Sequence, residues 1–223
     1  MYDNVRGRKQ MLLLAHPGIT LGAAIICKAI LTRSLPLQPN TNVPMKYSEP
    51  NQKAPPFKKA PASGRASLLT FFQRIDVRLL LIGSLLPDIV DKPLGTYFLR
   101  DSLSSGKIFC HTLVFLLVIT LTGLYLYRGH GKIWLLTLSF GTFTHLICDQ
   151  MWGNLHTLLW PAYGFAFKRD EISHWIQNIL YGLHSDPRIY VPELIGMLIL
   201  IWFALTLMHR RKFQALLRNG QVL

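Results

Sequence analysis

A histidine and an aspartate lie four residues apart in the apolar stretch FGTFTHLICDQMWG, residues 140–153. If this stretch is helical, His145 and Asp149 lie on the same helix face. Such a pair can hold one divalent cation, because imidazole nitrogen and carboxylate oxygen are both metal ligands. Ionisable groups inside an apolar helix are energetically costly, so this pair predicts a functional site.

Similar residues lie near the ends of other apolar segments: His16 in AHPGIT, two aspartates in LLPDIVD and a histidine in FCHTL. The two aspartates, three residues apart, could bind one ion or bridge two. Imidazole and carboxylate together form the usual mixed ligand set of catalytic zinc, and they also suit manganese or iron. We therefore predict a divalent metal site, with zinc as the first choice, whose ligands are His16, Asp88, Asp91, His111, His145 and Asp149.

The composition indicates an integral membrane protein. Half of the 223 residues are hydrophobic, and 24 Lys and Arg outnumber 11 Asp and Glu. Long apolar runs with excess basic charge are typical of membrane proteins, whose positive residues collect in cytoplasmic loops. A nucleic-acid-binding protein could share the charge but would not need such runs of Leu, Ile and Phe. We predict one all-α domain over residues 1–223, a multi-pass helical bundle in the cell (inner) membrane with the lipid bilayer as its partner.

The apolar pattern predicts four to five transmembrane or membrane-embedded helices. Residues 108–127 and 190–208 approach the length that a helix needs to cross the hydrocarbon core. Residues 132–151 are almost as apolar, whereas residues 12–31 and 68–90 are weaker candidates. Residues 33–67 are rich in proline and lysine, so we predict a flexible basic loop inserted between the first two helices.

Alternation of the helix direction places all six candidate ligands at the same membrane boundary. The basic sequences RGHGK and HRRKFQALLR follow two of the spans and predict that their ends, including the C-terminus, are cytoplasmic. If all five segments cross, the N-terminus lies outside, against the charges of Arg6, Arg8 and Lys9. The orientation of the N-terminus therefore stays open.

Each candidate also has an ordinary structural interpretation. A single intramembrane histidine is more often a hydrogen-bonded packing residue, and Asp88 after a proline could cap a helix. Asp91 could pair with Lys92, whereas Asp149 has no basic neighbour in the sequence. His156, seven residues after Asp149, is left open as an additional ligand. The remaining histidines and the three cysteines fit surface and small buried positions, respectively: His130, His174, His184 and His209, and Cys27, Cys110 and Cys148.

The order of these motifs resembles the membrane-bound metal-dependent hydrolase family, the YdjM-like group. The resemblance rests on His16, LLPDIVD, CHTL, THLICD and LLWP, and it covers about residues 11–168. It implies metal-ligand roles for the six residues named above. The chain departs from the family pattern at SSGKIF, where a second histidine is common, and at Cys110 and Lys92, where threonine and histidine are common.

The resemblance also implies hydrolysis, and a more distant similarity to helical zinc phospholipases C and nucleases suggests a phosphoester or lipid-like substrate. The expected mechanism is attack by a metal-activated water at the membrane interface. We assign Asp91 to orienting this water, with Asp88 as the alternative, and Lys168 and Arg169 to attracting the substrate phosphate. A phospholipid or another amphiphile suits such a site.

Two other classes of function remain open from the sequence. A transporter or proton relay could use the same histidines and aspartates, although it would need polar groups along a path through the bilayer. A non-catalytic scaffold could keep a structural metal and recruit partners through its basic loop. No motif points to a nucleic-acid partner, and the sequence defines neither the substrate nor the oligomeric state.

Overall fold

A computed structural model describes residues 14–34, 64–98, 105–167 and 183–223 of the chain. Within these ranges the regular elements are helices, and no strand is present. The predicted all-α membrane bundle is therefore confirmed. The helices are α1 (Ala15–Ser34), α2 (Gly64–Arg74), α3 (Val77–Pro93), α4 (Leu113–His130), α5 (Trp134–Cys148), α6 (Leu155–Leu158), α7 (Pro187–His209) and α8 (Phe213–Asn219).

Three of these helices are long and apolar enough to cross a bilayer. They are α1, α4 and α7, with 20, 18 and 23 residues, whereas the apolar helix α5 has only 15. Large apolar side chains on α4 and α7 remain exposed, as at Leu121 (62%) and Met208 (67%). These faces suit contact with lipid, since water would disfavour so much exposed apolar surface.

Two predicted segments have different boundaries in the structure. Residues 68–90 form two helices, because the Asp76 carboxylate caps α3 by accepting the Arg78 N–H at 2.9 Å. The span predicted from residue 108 becomes α-helical only at Leu113, where Thr112 is the N-cap and accepts the Phe115 N–H at 3.1 Å.

The predicted Pro-rich loop can be compared with the structure only at its ends. Residues 33–34 close α1 and residues 64–67 open α2, so both ends of the predicted 33–67 loop are helical. Residues 35–63, which contain the prolines of the loop, lie outside the described residues.

Glycines allow two pairs of helices to approach backbone to backbone. On α1 and α7, a Cβ added to Gly18 would overlap the backbone of Gly196. On α3 and α5, a Cβ added to Gly141 would lie 2.7 Å from the backbone of Gly83. Small residues at such contacts are how membrane helices gain close packing, since lipid removes the hydrophobic driving force between them.

Hydroxyl groups and an apolar cluster complete the packing. Thr20 of α1 and Thr144 of α5 share a hydrogen bond of 2.7 Å, and Thr120 of α4 and Ser139 of α5 share one of 2.6 Å. The apolar cluster lies in the part of the bundle away from the helix ends that carry the candidate ligands. Its buried members are Leu21, Ala24, Phe72, Ile75, Val77, Leu80, Leu207 and Val222.

Replacement of Gly18 by alanine is expected to destabilise the bundle by about 1–3 kcal/mol, because α1 and α7 must separate to admit the methyl group. Thermal unfolding in detergent, followed by circular dichroism, measures the effect. Gly129→Ala is the matched control, since a Cβ at Gly129 meets no atom within 4 Å. Equal melting temperatures for the two variants would contradict the close contact.

Candidate metal centre

The structure brings the six candidate ligands together at one end of the bundle. His16 lies in the first turn of α1 and His145 in the last turn of α5. Asp88 lies near the end of α3, and His111 lies in the short 3-10 turn that precedes α4. All six side chains are buried, with at most 8% residue exposure. The alternating direction of the helices thus places these residues at one end of the bundle, as the sequence predicts.

Two carboxylate oxygens lie near a pair of imidazole nitrogens. The Nε2 atoms of His111 and His145 are 3.2 Å apart. Asp88 Oδ1 lies 3.6 and 3.9 Å from these two nitrogens, and Asp149 Oδ2 lies 3.7 and 3.9 Å from them. Ligand atoms around a tetrahedral zinc are separated by roughly 3.3–3.6 Å, given bonds of about 2.0–2.2 Å. Asp88, His111 and His145 therefore fit a divalent cation in both chemistry and spacing, and Asp149 Oδ2 lies within 4 Å of the same two nitrogens.

Hydrogen bonds on the far side of each ring place a hydrogen on Nδ1 of both histidines. His145 Nδ1 lies 2.7 Å from the carbonyl oxygen of Ser84, which can only accept, so Nδ1 carries the hydrogen. His111 Nδ1 lies 2.7 Å from Asp91 Oδ2 and donates in the same way. The Nε2 atoms of both rings therefore face the pocket, beside two carboxylates. A ring held from behind in this way can offer Nε2 to a cation.

The contacts of Asp91 favour a different role from the predicted one. Its carboxylate accepts the backbone N–H groups of Ile108 at 2.9 Å, Cys110 at 3.0 Å and His111 at 3.2 Å. Together with the His111 ring, these donors occupy both of its oxygens. A carboxylate behind a histidine is the usual means of fixing the tautomer and orientation of a ligand. Asp91 is therefore placed to position His111 rather than to hold the cation or a water.

His16 extends the site on the side of Asp149. Its ring stacks on the His145 ring with centroids 4.1 Å apart, and its Nε2 lies 3.4 Å from Asp149 Oδ1. Among the described residues, neither ring nitrogen of His16 has a hydrogen-bond partner, although the side chain is fully buried. Burial of an unpaired imidazole is costly, and ligation of a cation would remove that cost. Two overlapping ligand groups result, His16–His145–Asp149 and Asp88–His111–His145.

Two lysines contact the carboxylates of the site. The buried ammonium of Lys107 lies 2.5 Å from Asp149 Oδ2, and that of Lys92 lies 2.7 Å from Asp88 Oδ2. Lys92 thus pairs with Asp88, four residues before it, rather than with the adjacent Asp91. Lys107 is a site residue that the sequence reasoning missed. Its signal was a lysine in SSGKIF, four residues before His111.

A buried glutamate on α7 supports the helix that carries His16. Glu193 Oε2 accepts the Leu14 N–H at 3.0 Å, at the start of α1, while Oε1 has no hydrogen-bond partner within the described part of the chain. Negative charge is favourable at a helix N-terminus, where the backbone N–H groups are unpaired. Glu193 was also missed, although it is the single acidic residue of the apolar segment 190–208 and could have been recognised as Asp149 was.

The other candidates lie elsewhere or outside the described residues. Lys168, Arg169 and His174 are not described, so the proposed phosphate contacts stay a prediction. His156 is exposed on α6 and belongs to neither ligand group. The remaining histidines are exposed as expected: His130, His184 and His209.

The cysteines match the expectation of small apolar side chains. All three are free thiols, and Cys110 and Cys148 are buried. Burial and the neighbouring Asp91 carboxylate raise the pKa of the Cys110 thiol to about 12. Cys110 therefore stays protonated at neutral pH and is a poor metal ligand.

Replacement of Asp91 by asparagine is expected to weaken metal affinity about 10–100-fold, because His111 loses the carboxylate that fixes its orientation. Equilibrium dialysis of the purified protein against zinc, with metal analysis, measures the change. Asp186→Asn is the control, since the Asp186 carboxylate accepts the Arg188 N–H at the start of α7 and belongs to neither ligand group. Wild-type affinity in Asp91→Asn would contradict the positioning role.

Comparison with known proteins identifies the family. The family model described as YdjM inner membrane protein matches residues 57–215. No curated protein and no solved structure matches the chain. The matched range includes every candidate ligand except His16. It also includes Lys92, Lys107 and Glu193. Because this match covers more than half of its length, the chain belongs to the YdjM inner membrane protein family.

Proposed function

We propose that this protein is a membrane-bound metal-dependent hydrolase that acts on a phosphoester at the membrane interface. The observation that carries the proposal is the pair of buried Nε2 atoms, 3.2 Å apart, beside two carboxylate oxygens. Both rings donate from Nδ1 on the far side, so each can offer Nε2 to a cation, and this is how histidine ligands are usually held. Zinc fits this nitrogen and oxygen set, as do manganese and iron.

The chemistry divides between the cation and the chain. A divalent cation, when bound, lowers the pKa of water and stabilises negative charge on a phosphoryl oxygen. His111 and His145 are held in the ligand tautomer by Asp91 and by the Ser84 carbonyl. His16 Nε2, 3.4 Å from Asp149 Oδ1, completes the second ligand group with Asp149 and His145.

The position of the site supports an amphiphilic substrate. The ligands lie at the ends of α1, α3 and α5, while α4 and α7 present exposed apolar faces suited to lipid. Lys92 is the most accessible charged group of the pocket, with a side chain 30% exposed. Its positive charge is placed to attract the phosphate of a molecule whose apolar chains stay in the bilayer.

The distribution of charge argues against a transporter or proton relay. Among the residues that the structure describes, the buried charged side chains are Asp88, Asp91, Lys107, Asp149 and Glu193. The first four belong to the pocket, and Glu193 lies at the same end of the bundle, beside the start of α1. A relay would need ionisable groups at successive depths of the membrane.

The basic residues favour a site on the non-cytoplasmic side. Arg33 ends α1, Arg128 and His130 end α4, and Arg210 and Arg211 follow α7, all at the helix ends opposite the pocket. Positive residues collect on the cytoplasmic side of a membrane protein. The C-terminus is then cytoplasmic and the pocket opens at the opposite face.

Metal analysis of the variant His145→Ala/Asp149→Asn tests the site first. We expect the wild type to retain a divalent metal and the variant to lose it. The group with His16 loses two of its three members, and the group with Asp88 loses one. His156→Ala is the matched control and should keep the wild-type metal content, because His156 is exposed and belongs to neither ligand group.

The metal-loaded wild type should then hydrolyse at least one member of a phosphoester panel that includes phospholipids in mixed micelles. Near-zero metal in the wild type, or a loaded protein that cleaves none of the panel, would defeat the proposal.

Reporter fusions at the C-terminus test the orientation. A green fluorescent protein fused after Leu223 should fluoresce, and an alkaline phosphatase fused there should be inactive, because the first is active in the cytoplasm and the second outside it. The reverse pattern would place the pocket on the cytoplasmic face. Fusion of the same reporters after Gly131, in the predicted cytoplasmic turn between α4 and α5, should give the same readout.

A further inference from the structure

Both ligand groups depend on the same histidine nitrogen. His145 belongs to the group with His16 and Asp149 and to the group with Asp88 and His111. Its Nδ1 donates to the Ser84 carbonyl at 2.7 Å, so Nε2 is its one free ligand atom. A neutral imidazole nitrogen has one lone pair and binds one cation. The two groups therefore cannot be filled by two ions at once.

The carboxylates that could bridge a second ion already contact ammonium groups. Asp88 directs Oδ1 towards the histidines, while its Oδ2 contacts Lys92 at 2.7 Å. Asp149 contacts the buried ammonium of Lys107 through Oδ2 at 2.5 Å. A second divalent ion would have to displace these ammonium groups or lie close to them, and like charges at such distances repel strongly in a buried site.

The charge of the pocket leads to the same result. Counted over the described residues of the pocket with neutral imidazoles, Asp88, Asp91 and Asp149 against Lys92 and Lys107 leave one net negative charge. One divalent cation turns this into one net positive charge, whereas two would leave three uncompensated positive charges in a buried pocket. Uncompensated buried charge is costly, so a single cation is the favoured state.

We infer that the pocket binds a single divalent cation shared by both ligand groups, and that Lys107 and Lys92 supply the positive charge that a second cation would otherwise bring. This inference rests on the metal site of the proposed function and deepens it. The single net positive charge suits an anionic group such as a phosphodiester, which carries one negative charge. Lys107 acts here through Asp149, as a positioning and charge-compensating residue.

Titration of the metal-free protein in detergent with Co²⁺ tests the stoichiometry. Ligand-field absorption and equilibrium dialysis should both saturate at one Co²⁺ per chain. Saturation at two would overturn the inference while leaving the proposed hydrolysis intact. No binding would remove the inference and the metal basis of the proposed function together, whereas one bound ion without any phosphoester cleavage would contradict the proposed function alone.

Variants of Lys107 test the charge compensation in the same titration. Lys107→Met removes the ammonium group at similar length, so the affinity for Co²⁺ should rise about tenfold or more at low ionic strength, with the stoichiometry still at one. Lys107→Arg keeps the charge and should bind as the wild type does. Lys132→Met, which removes an exposed lysine beyond the far end of α4, controls for the net charge of the chain. Unchanged or weaker binding in Lys107→Met would overturn the role of Lys107.

Discussion

The fixed orientation of the His111 and His145 rings is the constraint on which the candidate site depends. Their Nε2 atoms lie 3.2 Å apart in the pocket, because each ring is hydrogen-bonded through Nδ1 on its far side. Asp91 fixes one ring through a side-chain bond, and the Ser84 carbonyl fixes the other through the backbone of α3. Both fixing groups lie on α3, so this helix sets the orientation of ligands that belong to α5 and to the turn before α4. Each ring therefore turns Nε2 towards the pocket, where both nitrogens can bind the same cation.

The packing of α3 accounts for how such a demanding geometry can be maintained. Gly83 and Gly141 bring α3 and α5 into backbone contact one residue before Ser84 and one turn before His145. The Thr142 hydroxyl donates to the Gly83 carbonyl at 3.2 Å in the same region. A side chain at either glycine would separate the two helices and lengthen the Ser84–His145 hydrogen bond. The glycines therefore serve the pocket as well as the bundle, since ligand rings must be held within fractions of an ångström.

The sequence predicted the helices and the shared depth of the ligands because both follow from hydropathy and alternating direction. His145 and Asp149 were recognisable because ionisable groups inside an apolar helix are costly and are usually kept for function. The role of Asp91 was beyond such reasoning, because it depends on the turn Ile108–His111 folding back onto the end of α3, which no helical period encodes. Lys107 was missed for the same reason. A lysine in a polar loop is expected to be solvated, and only the fold brings Lys107 into contact with Asp149, 42 residues further along the chain.

The membrane environment gives the two lysines a meaning that they would lack in a soluble protein. In a pocket shielded from water, each carboxylate requires a nearby positive charge, and a divalent cation can satisfy only part of a set of three. Lys107 is buried beside Asp149, whereas Lys92 is partly exposed beside Asp88. The ammonium group that neutralises Asp149 is therefore closed to solvent, and the one that neutralises Asp88 is open to it. Under the proposed function, an anionic phosphate on the accessible side would meet Lys92 first and would compete with Asp88 for its ammonium group.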